Sequence, residues 1–314
     1  MKIYHSISTF NSTEKTSIVT IGTFDGVHIG HQEIIKNLVK SASDTNNKSV
    51  ILTFFPHPRM VLQKGTNLKL LTTLQEKIVL LEKTGLDFLI IEPFTKDFSR
   101  YTALDFVRDI LVQQLKLKKL VIGYDHHFGR NREGNFEQLK EYGIVYGFDV
   151  EEIPAQDIQN IAVSSTKIRK ALEEGNIEKA NSYLGYEFML TGTIIHGRGL
   201  GQKWNYPTVN IHIEETYKLI PKSGVYIIKT SINNNHIFGI MNIGYRPTID
   251  GKHQTIEVHL LDFNADLYGE NIQVQLVYRL RDEQKFVSVD ELFAQIKRDE
   301  SNARKLITNG KISF

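Results

Sequence analysis

Ser17-Ile18-Val19-Thr20-Ile21-Gly22-Thr23-Phe24-Asp25-Gly26-Val27-His28-Ile29-Gly30-His31 reads as a short strand, a glycine-bearing loop and the first turn of a helix. The strand ends at Gly22, and Ile34, Ile35, Leu38 and Val39 downstream keep helical spacing. The alternation continues along the first half. Residues 50–55 form a second strand, stopped by Pro56 and Pro58. Thr73-Leu74-Gln75-Glu76 is a capping box whose helix runs to near Gly85. Residues 88–92 are a third strand, 102–114 are helical in pattern, and 120–123 are a fourth strand. Residues 137–142 suit a short helix and 149–153 a fifth strand. Strands alternating with helices predict βαβ units, hence an α/β domain with a doubly wound parallel sheet covered on both faces.

The second half changes character. Residues 192–196, 225–231, 236–243, 255–263 and 271–280 are β-rich, and no long helix interrupts them. Asn233-Asn234-Asn235 suggests a hairpin turn. An antiparallel β-barrel or sandwich is the expected solution. A C-terminal helix follows, opened by the capping box Ser288-Val289-Asp290-Glu291 and carrying Leu292, Ile296 and Leu306. Residues 164–184 are helical in pattern and link the halves, so the domains are expected at 1–183 and 184–314. Neither an internal repeat nor a low-complexity segment is visible.

The whole chain has 314 residues, enough for two domains at about 150 each. Its net charge of +2 comes without an acidic tail or basic arm, so binding to nucleic acid by bulk charge is not indicated. It has no cysteine, which excludes disulfides, zinc–thiolate sites, iron–sulfur clusters and cysteine nucleophiles. Residues 1–14 contain no leader-like apolar stretch, and the run Phe88-Leu89-Ile90-Ile91 is far short of the roughly 18 residues that span a bilayer. The expected address is the cytoplasm, with no membrane partner.

In an open parallel sheet, ligands bind beyond the carboxyl ends of strands, where the loop 22–31 lies. His28 and His31 are three apart and share one face at a helix start, with Gly30 between them leaving room for a close approach. A helix N-terminus adds free N–H groups and partial positive charge. The arrangement suits attack by one phosphate on the α-phosphate of ATP, a reaction that needs alignment rather than a protein nucleophile. A metal pair or surface histidines are the plainer alternatives. Ser164-Ser165-Thr166-Lys167-Ile168-Arg169 opens another helix and by itself reads as an ordinary cap with surface charges.

The second half has no Walker loop. His196-Gly197-Arg198-Gly199-Leu200-Gly201 is an N–H-rich turn, either phosphate-wrapping or a plain glycine loop. On the extended segment Pro207-Thr208-Val209-Asn210, Thr208 and Asn210 face one way and offer hard oxygen ligands for Mg²⁺. Glu257 alternates with Ile256, Val258 and Leu260, so it faces away from their apolar side. It is either a proton acceptor or a solvent-facing strand glutamate.

Taken jointly, these elements resemble one family. The loop 22–31, Phe54-Phe55-Pro56-His57-Pro58, Tyr124-Asp125-His126-His127-Phe128-Gly129 and the 164–169 run look like the adenylyltransferase half of bacterial bifunctional riboflavin kinase/FMN adenylyltransferase. Gly197 to Gly201, Pro207 to Asn210, Asn242-Ile243-Gly244-Tyr245-Arg246-Pro247-Thr248, Glu257-Val258-His259 and Arg281-Asp282-Glu283-Gln284-Lys285-Phe286 occur in the order of its kinase half, a six-stranded barrel. The resemblance implies that Gly22, Phe24, Asp25, His28, Gly30, His31, Ser164, Ser165, Thr166 and Arg169 bind ATP in the first domain. It implies that Pro56, His57, Pro58, Asp125 and Phe128 line a flavin pocket. In the kinase domain it implies that Gly197, Gly199, Gly201, Thr208 and Asn210 bind ATP, that Thr208 and Asn210 hold Mg²⁺, and that Glu257 is the base. Val209 stands where alanine is more usual in the family. The implied substrates and products are riboflavin, FMN, FAD, ATP and ADP. A chain with one working half, a flavin-binding protein without catalysis and a nucleotidyltransferase of another substrate class are the rival readings.

Overall fold

Ile18 to Ile21 are apolar or β-branched without interruption, and a strand of that kind needs cover on both faces. The computed structural model describes residues 1–11, 15–63, 65–124, 128–153, 163–196, 206–248 and 251–314. By contacts the chain divides into two units, Met1–Ser165 and Thr166–Phe314.

The first unit is built on strands β1 (Lys2–Tyr4), β2 (Ser17–Ile21), β3 (Lys48–Phe55), β4 (Phe88–Pro93), β5 (Leu117–Gly123) and β6 (Asp149–Ile153). They form one sheet in the order β1-β4-β3-β2-β5-β6, with every neighbouring pair parallel. Alternate residues divide between two cores. Val19, Ile21, Val50, Leu52, Leu120 and Ile122 belong to one. Ile18, Ile51, Leu89, Ile91 and Val121 belong to the other. Helices α1 (Ile29–Asp44), α2 (Pro58–Leu62) and α3 (Leu74–Glu82) connect the first strands. Ile35 and Leu38 of α1 and Leu81 of α3 cover the second core. A helical segment, α4 (Ala103–Asp105), continues as π-helix over Phe106–Gln114, and with α5 (Phe136–Tyr146) it covers the first core through Phe106, Ile110, Leu111 and Leu139. The doubly wound expectation holds.

Two details differ from the sequence reading. Strand β1 is a sixth, edge strand of three residues, too short to show a period of two. Residues 106–114 are wound wider than an α-helix, with Leu115 N–H reaching back five residues to Ile110 O. An apolar pattern near 3.6 does not distinguish the two windings.

Helix α6 (Ser165–Glu174) opens on the last residue of the first unit and continues as the start of the second, where α7 (Ile177–Leu184) follows. Gly175, at φ +80°, separates them, and a Cβ there would lie 2.7 Å from Arg279 Nε. The barrel strands are β7 (Met189–Ile195), β8 (Val209–His212), β9 (Gly224–Ile232), β10 (Asn235–Thr248), β11 (Gly251–Leu260) and β12 (Asn271–Arg281). They close in the order β10-β11-β8-β7-β12-β9, all antiparallel. The hairpin between β9 and β10 is a two-residue turn with φ +50° at Asn233 and +64° at Asn234, the conformation that asparagine tolerates best after glycine. Helix α8 (Val289–Thr308) ends the fold. Ser288 caps it by accepting the Glu291 N–H, whereas the Glu291 carboxylate reaches one residue further back, to Val287 N–H. Among the described residues no helix is long and apolar enough to cross a membrane.

Candidate functional sites

In the first unit the strand order reverses at β2, which has β3 on one side and β5 on the other. Ligands of open α/β sheets bind at such a switch point. The loop leaving β2 there is tightly wound, with positive φ at Phe24 (+47°), Gly26 (+81°) and Val27 (+35°). Left-handed Phe and Val are strained, so the surroundings must hold them. Asp25 does much of this. It is buried, and its Oδ1 accepts the N–H of Leu71 at 2.9 Å and of Thr72 at 3.4 Å. Gly26 N–H donates to Thr72 Oγ1, and Ser165 Oγ donates to Asp25 O at 3.0 Å. The Asp25 carboxylate thus faces backbone of the following loop.

His28 is the N-cap of α1, its Nδ1 accepting the His31 N–H at 3.4 Å. An accepting Nδ1 leaves Nε2 as the proton-bearing nitrogen. The two rings stack with centroids 3.6 Å apart and planes 17° from parallel. Phe24 meets His31 edge-on at 5.1 Å. His31 Nδ1 is buried with no hydrogen-bond partner among the described residues. Burial, and then the neighbouring His28 and Lys77, hold His31 well below the ordinary histidine range. The neutral imidazole is therefore the favoured form of His31 at pH 7.

The cation at this site is one that sequence reasoning missed. Lys77 is buried beneath the loop, with Nζ donating to Thr23 O at 2.7 Å. Thr53 Oγ1 donates to the same oxygen at 3.3 Å. Burial pulls the lysine down to about 8, partly opposed by Asp25. The available signal was its position four residues before Leu81, on the apolar stripe of α3. Between pH 8 and 10.5 the unfolded chain holds a proton that folded Lys77 releases, so this residue's contribution to stability rises with pH across that window. Its cost is complete below pH 8. Lys77→Met is expected to gain about 1–3 kcal/mol at pH 7 and less at pH 10, while slowing chemistry at this site. Urea unfolding of both proteins at the two pH values checks this.

Ser164 and Ser165 lie at the start of α6, and Thr166 and Arg169 follow along that helix in the second unit. Pro56, His57 and Pro58 follow β3, and His57 caps α2 by accepting the Arg59 N–H at 3.1 Å. Aromatic contacts run from Phe54 to Phe94 and Phe98, at 5.6 and 5.5 Å, then from Phe98 to Tyr101 and Phe106. They end at Phe128, whose ring lies 6.1 Å from Phe106. A band of rings thus runs from Phe54, two residues before the Pro-His-Pro segment, to Phe128, and its members Phe94, Phe98 and Tyr101 were not foreseen. Asp125 and His126 lie outside the described residues.

In the second unit the barrel register builds a row. Glu257 of β11 stands opposite Asn210 of β8 on one side and Asn242 of β10 on the other. Their neighbours Met241, Ile243, Ile256 and Val258 are buried. The three polar residues therefore share the opposite face. Thr208 lies just before β8, two residues from Asn210. Glu283 reaches this face too, because Gly244 has no side chain: a Cβ there would lie 2.4 Å from Glu283 Oε1 and 3.2 Å from Asn242 Nδ2. Glu283 also lines a depression of about 460 Å³ with Lys222, Ser223, Tyr245, Gln254 and Asp282. Gly197, Gly199 and Gly201 lie outside the described residues. No group of three or more His, Cys, Asp or Glu able to hold a metal occurs among the described residues. A hydroxyl and an amide oxygen at Thr208 and Asn210 instead suit Mg²⁺, which takes few protein ligands and keeps phosphate and water oxygens.

The FAD synthetase family profile matches residues 10–167 and the riboflavin kinase profile residues 184–307. Bifunctional riboflavin kinase/FMN adenylyltransferase of Escherichia coli (strain K12) is 37% identical over 97% of each chain. The protein of that name from Buchnera aphidicola subsp. Schizaphis graminum is 40% identical over 97% of this chain and 98% of its own. A solved structure described as a macrolide-efflux protein from Streptococcus pneumoniae matches with a TM-score of 0.88 at 30% identity, covering 96% of this chain and 98% of its own. The six-stranded parallel sheet, the closed barrel and these relatives agree that the chain belongs to the bifunctional riboflavin kinase/FMN adenylyltransferase family.

Proposed function

We propose that the barrel unit converts riboflavin to FMN at the Asn210–Glu257–Asn242 row, and that the β2–α1 loop converts FMN to FAD. Both activities are those of the family; the assignment of residues is our reading. The observation that carries it is the register that sets Glu257 directly beside Asn210. A carboxylate there takes the proton of the ribityl 5′-hydroxyl as it attacks the γ-phosphate of ATP. Thr208 and Asn210 hold Mg²⁺, which when bound offsets charge on the phosphates. The glycines at 197, 199 and 201 are assigned to the phosphates of the same nucleotide.

In the first unit, His28 and His31 orient ATP and stabilise the charge that develops as FMN phosphate displaces pyrophosphate from the α-phosphate. Gly22, Phe24 and Gly30 shape that loop, and Asp25 and Ser165 hold it. Ser164, Thr166 and Arg169 are assigned to the phosphates. Pro56, His57, Pro58, Asp125 and Phe128 are assigned to the flavin. We set the functional boundary at 183/184 and place the protein in the cytoplasm, where ATP is available.

A chromatographic time course with riboflavin, ATP and Mg²⁺ tests the reading. FMN is expected first and FAD after it, and chelation of divalent ions is expected to stop FMN formation. FMN without FAD would leave a kinase with a silent first unit. Neither product from folded, flavin-binding protein would point to a binding role.

A further inference from the structure

The ladder of β8 begins only at Val209, so Tyr206, Pro207 and Thr208 approach the barrel outside it. Pro207 also has no N–H to offer a neighbouring strand. Side chains hold the segment instead. His259 Nδ1 lies 2.8 Å from Pro207 O. A carbonyl only accepts, so Nδ1 carries the proton and donates. Tyr206 OH donates to Glu300 Oε2 of α8 at 2.9 Å. Arg304 Nε donates to the other oxygen of Glu300 at 2.8 Å. The two remaining nitrogens of Arg304 donate to the two carboxylate oxygens of Asp262. The Tyr206 ring lies 5.2 Å from His259 and 6.3 Å from Phe293. Continued by one residue, the β8–β11 register puts Thr208 opposite His259.

We propose that His259 is a positioning residue of the kinase reaction: its Nδ1–H clamps the Pro207 carbonyl and thereby sets the Thr208 hydroxyl relative to Asn210 and Glu257. This rests on the reading of Thr208 and Asn210 as the pair that holds Mg²⁺. The clamp is made through one nitrogen. Asparagine places an amide N–H near the position of Nδ1, whereas glutamine places one near Nε2. His259→Asn therefore keeps the clamp, and His259→Gln and His259→Ala lose it.

The test uses the full chain. FMN formation is measured against Mg²⁺ concentration, and amide hydrogen exchange is followed over residues 206–212 without nucleotide. FAD formation from supplied FMN serves as the internal control. In the Ala and Gln variants the Mg²⁺ midpoint is expected to rise about tenfold and exchange over 206–212 to quicken about tenfold. In the Asn variant both stay within about twofold of the parent. FAD formation is unchanged in all three. An unmoved midpoint in both the Ala and Gln variants overturns the proposal, and so does equal behaviour of Asn and Gln. If the Ala variant does not fold, the Asn and Gln pair decides. Thr208→Ala is measured alongside. If it leaves the midpoint unmoved, the assignment of Thr208 fails. If it moves the midpoint and the Gln variant does not, only the clamp fails.

Discussion

Glu257→Gln is expected to remove FMN formation and to leave FAD formation from supplied FMN at the parent rate. The substitution keeps the size and shape of the side chain and its place between Asn210 and Asn242, so the barrel has no reason to rearrange. It removes the one property that the proposed step needs, a lone pair basic enough to take the ribityl proton. Loss of a general base costs about 10²- to 10⁴-fold in rate. Riboflavin and ATP concentrations at half-saturation stay within about threefold, because the deficit lies in the transition state and not in binding. Measuring FMN and FAD production separately in one preparation checks both halves. A variant that still phosphorylates riboflavin at a tenth of the parent rate or better would remove Glu257 from the role of base.

His28→Asn gives the converse. FMN is expected to accumulate normally and its conversion to FAD to fall by about 10²- to 10³-fold, the cost of losing one well-placed donor to a developing charge. Asparagine is chosen because His28 has two duties. As N-cap it accepts the His31 N–H, and asparagine is among the best residues there, so α1 keeps its first turn. What asparagine lacks is the Nε2 donor and the ring face that stacks on His31. His28→Ala loses the cap as well and is expected to cost about 1 kcal/mol of stability on top of the activity. Comparing kcat and melting temperature across the two variants separates the duties. Equal loss of FMN formation in a folded His28→Asn protein would contradict the division of labour between the units.

Much of this was legible in the sequence, for definable reasons. The run from Ser17 to His31 declares a strand, a sharp turn and a helix cap in consecutive residues, so fold class and first site come from the same stretch. The facing of Glu257 was legible because alternation along one strand shows which way a side chain points, while its assignment as base came from the resemblance. Its partners were not: the pairing with Asn210 and Asn242 depends on register between strands distant in sequence, and no local pattern encodes that. Lys77 escaped for a different reason. A lysine in a helix is ordinarily a surface residue, and only the buried loop above α3 makes it a fixed cation. The aromatic band through Phe94, Phe98 and Tyr101 escaped because each ring taken singly is an ordinary core residue. Asp25 was assigned to ATP by resemblance, and the structure adds a hydrogen-bonding duty toward Leu71 and Thr72 that spacing did not suggest.

The two units differ in how they would behave in a crowded solution. Among the described residues the barrel closes on itself, each strand pairing with a neighbour on both sides. The parallel sheet has two edges, β1 and β6, and an open edge is a template on which another chain can add a strand. Strand β1 offers only three residues for such growth. Strand β6 is longer, but it reads Asp149-Val150-Glu151-Glu152-Ile153, so a second copy laid against it would bring carboxylates together. Asp149 and Glu152 thus place carboxylates along this border, with Glu151 paired to Lys119 at 3.2 Å, and neutralising Asp149 and Glu152 is expected to make it a better template for a second strand.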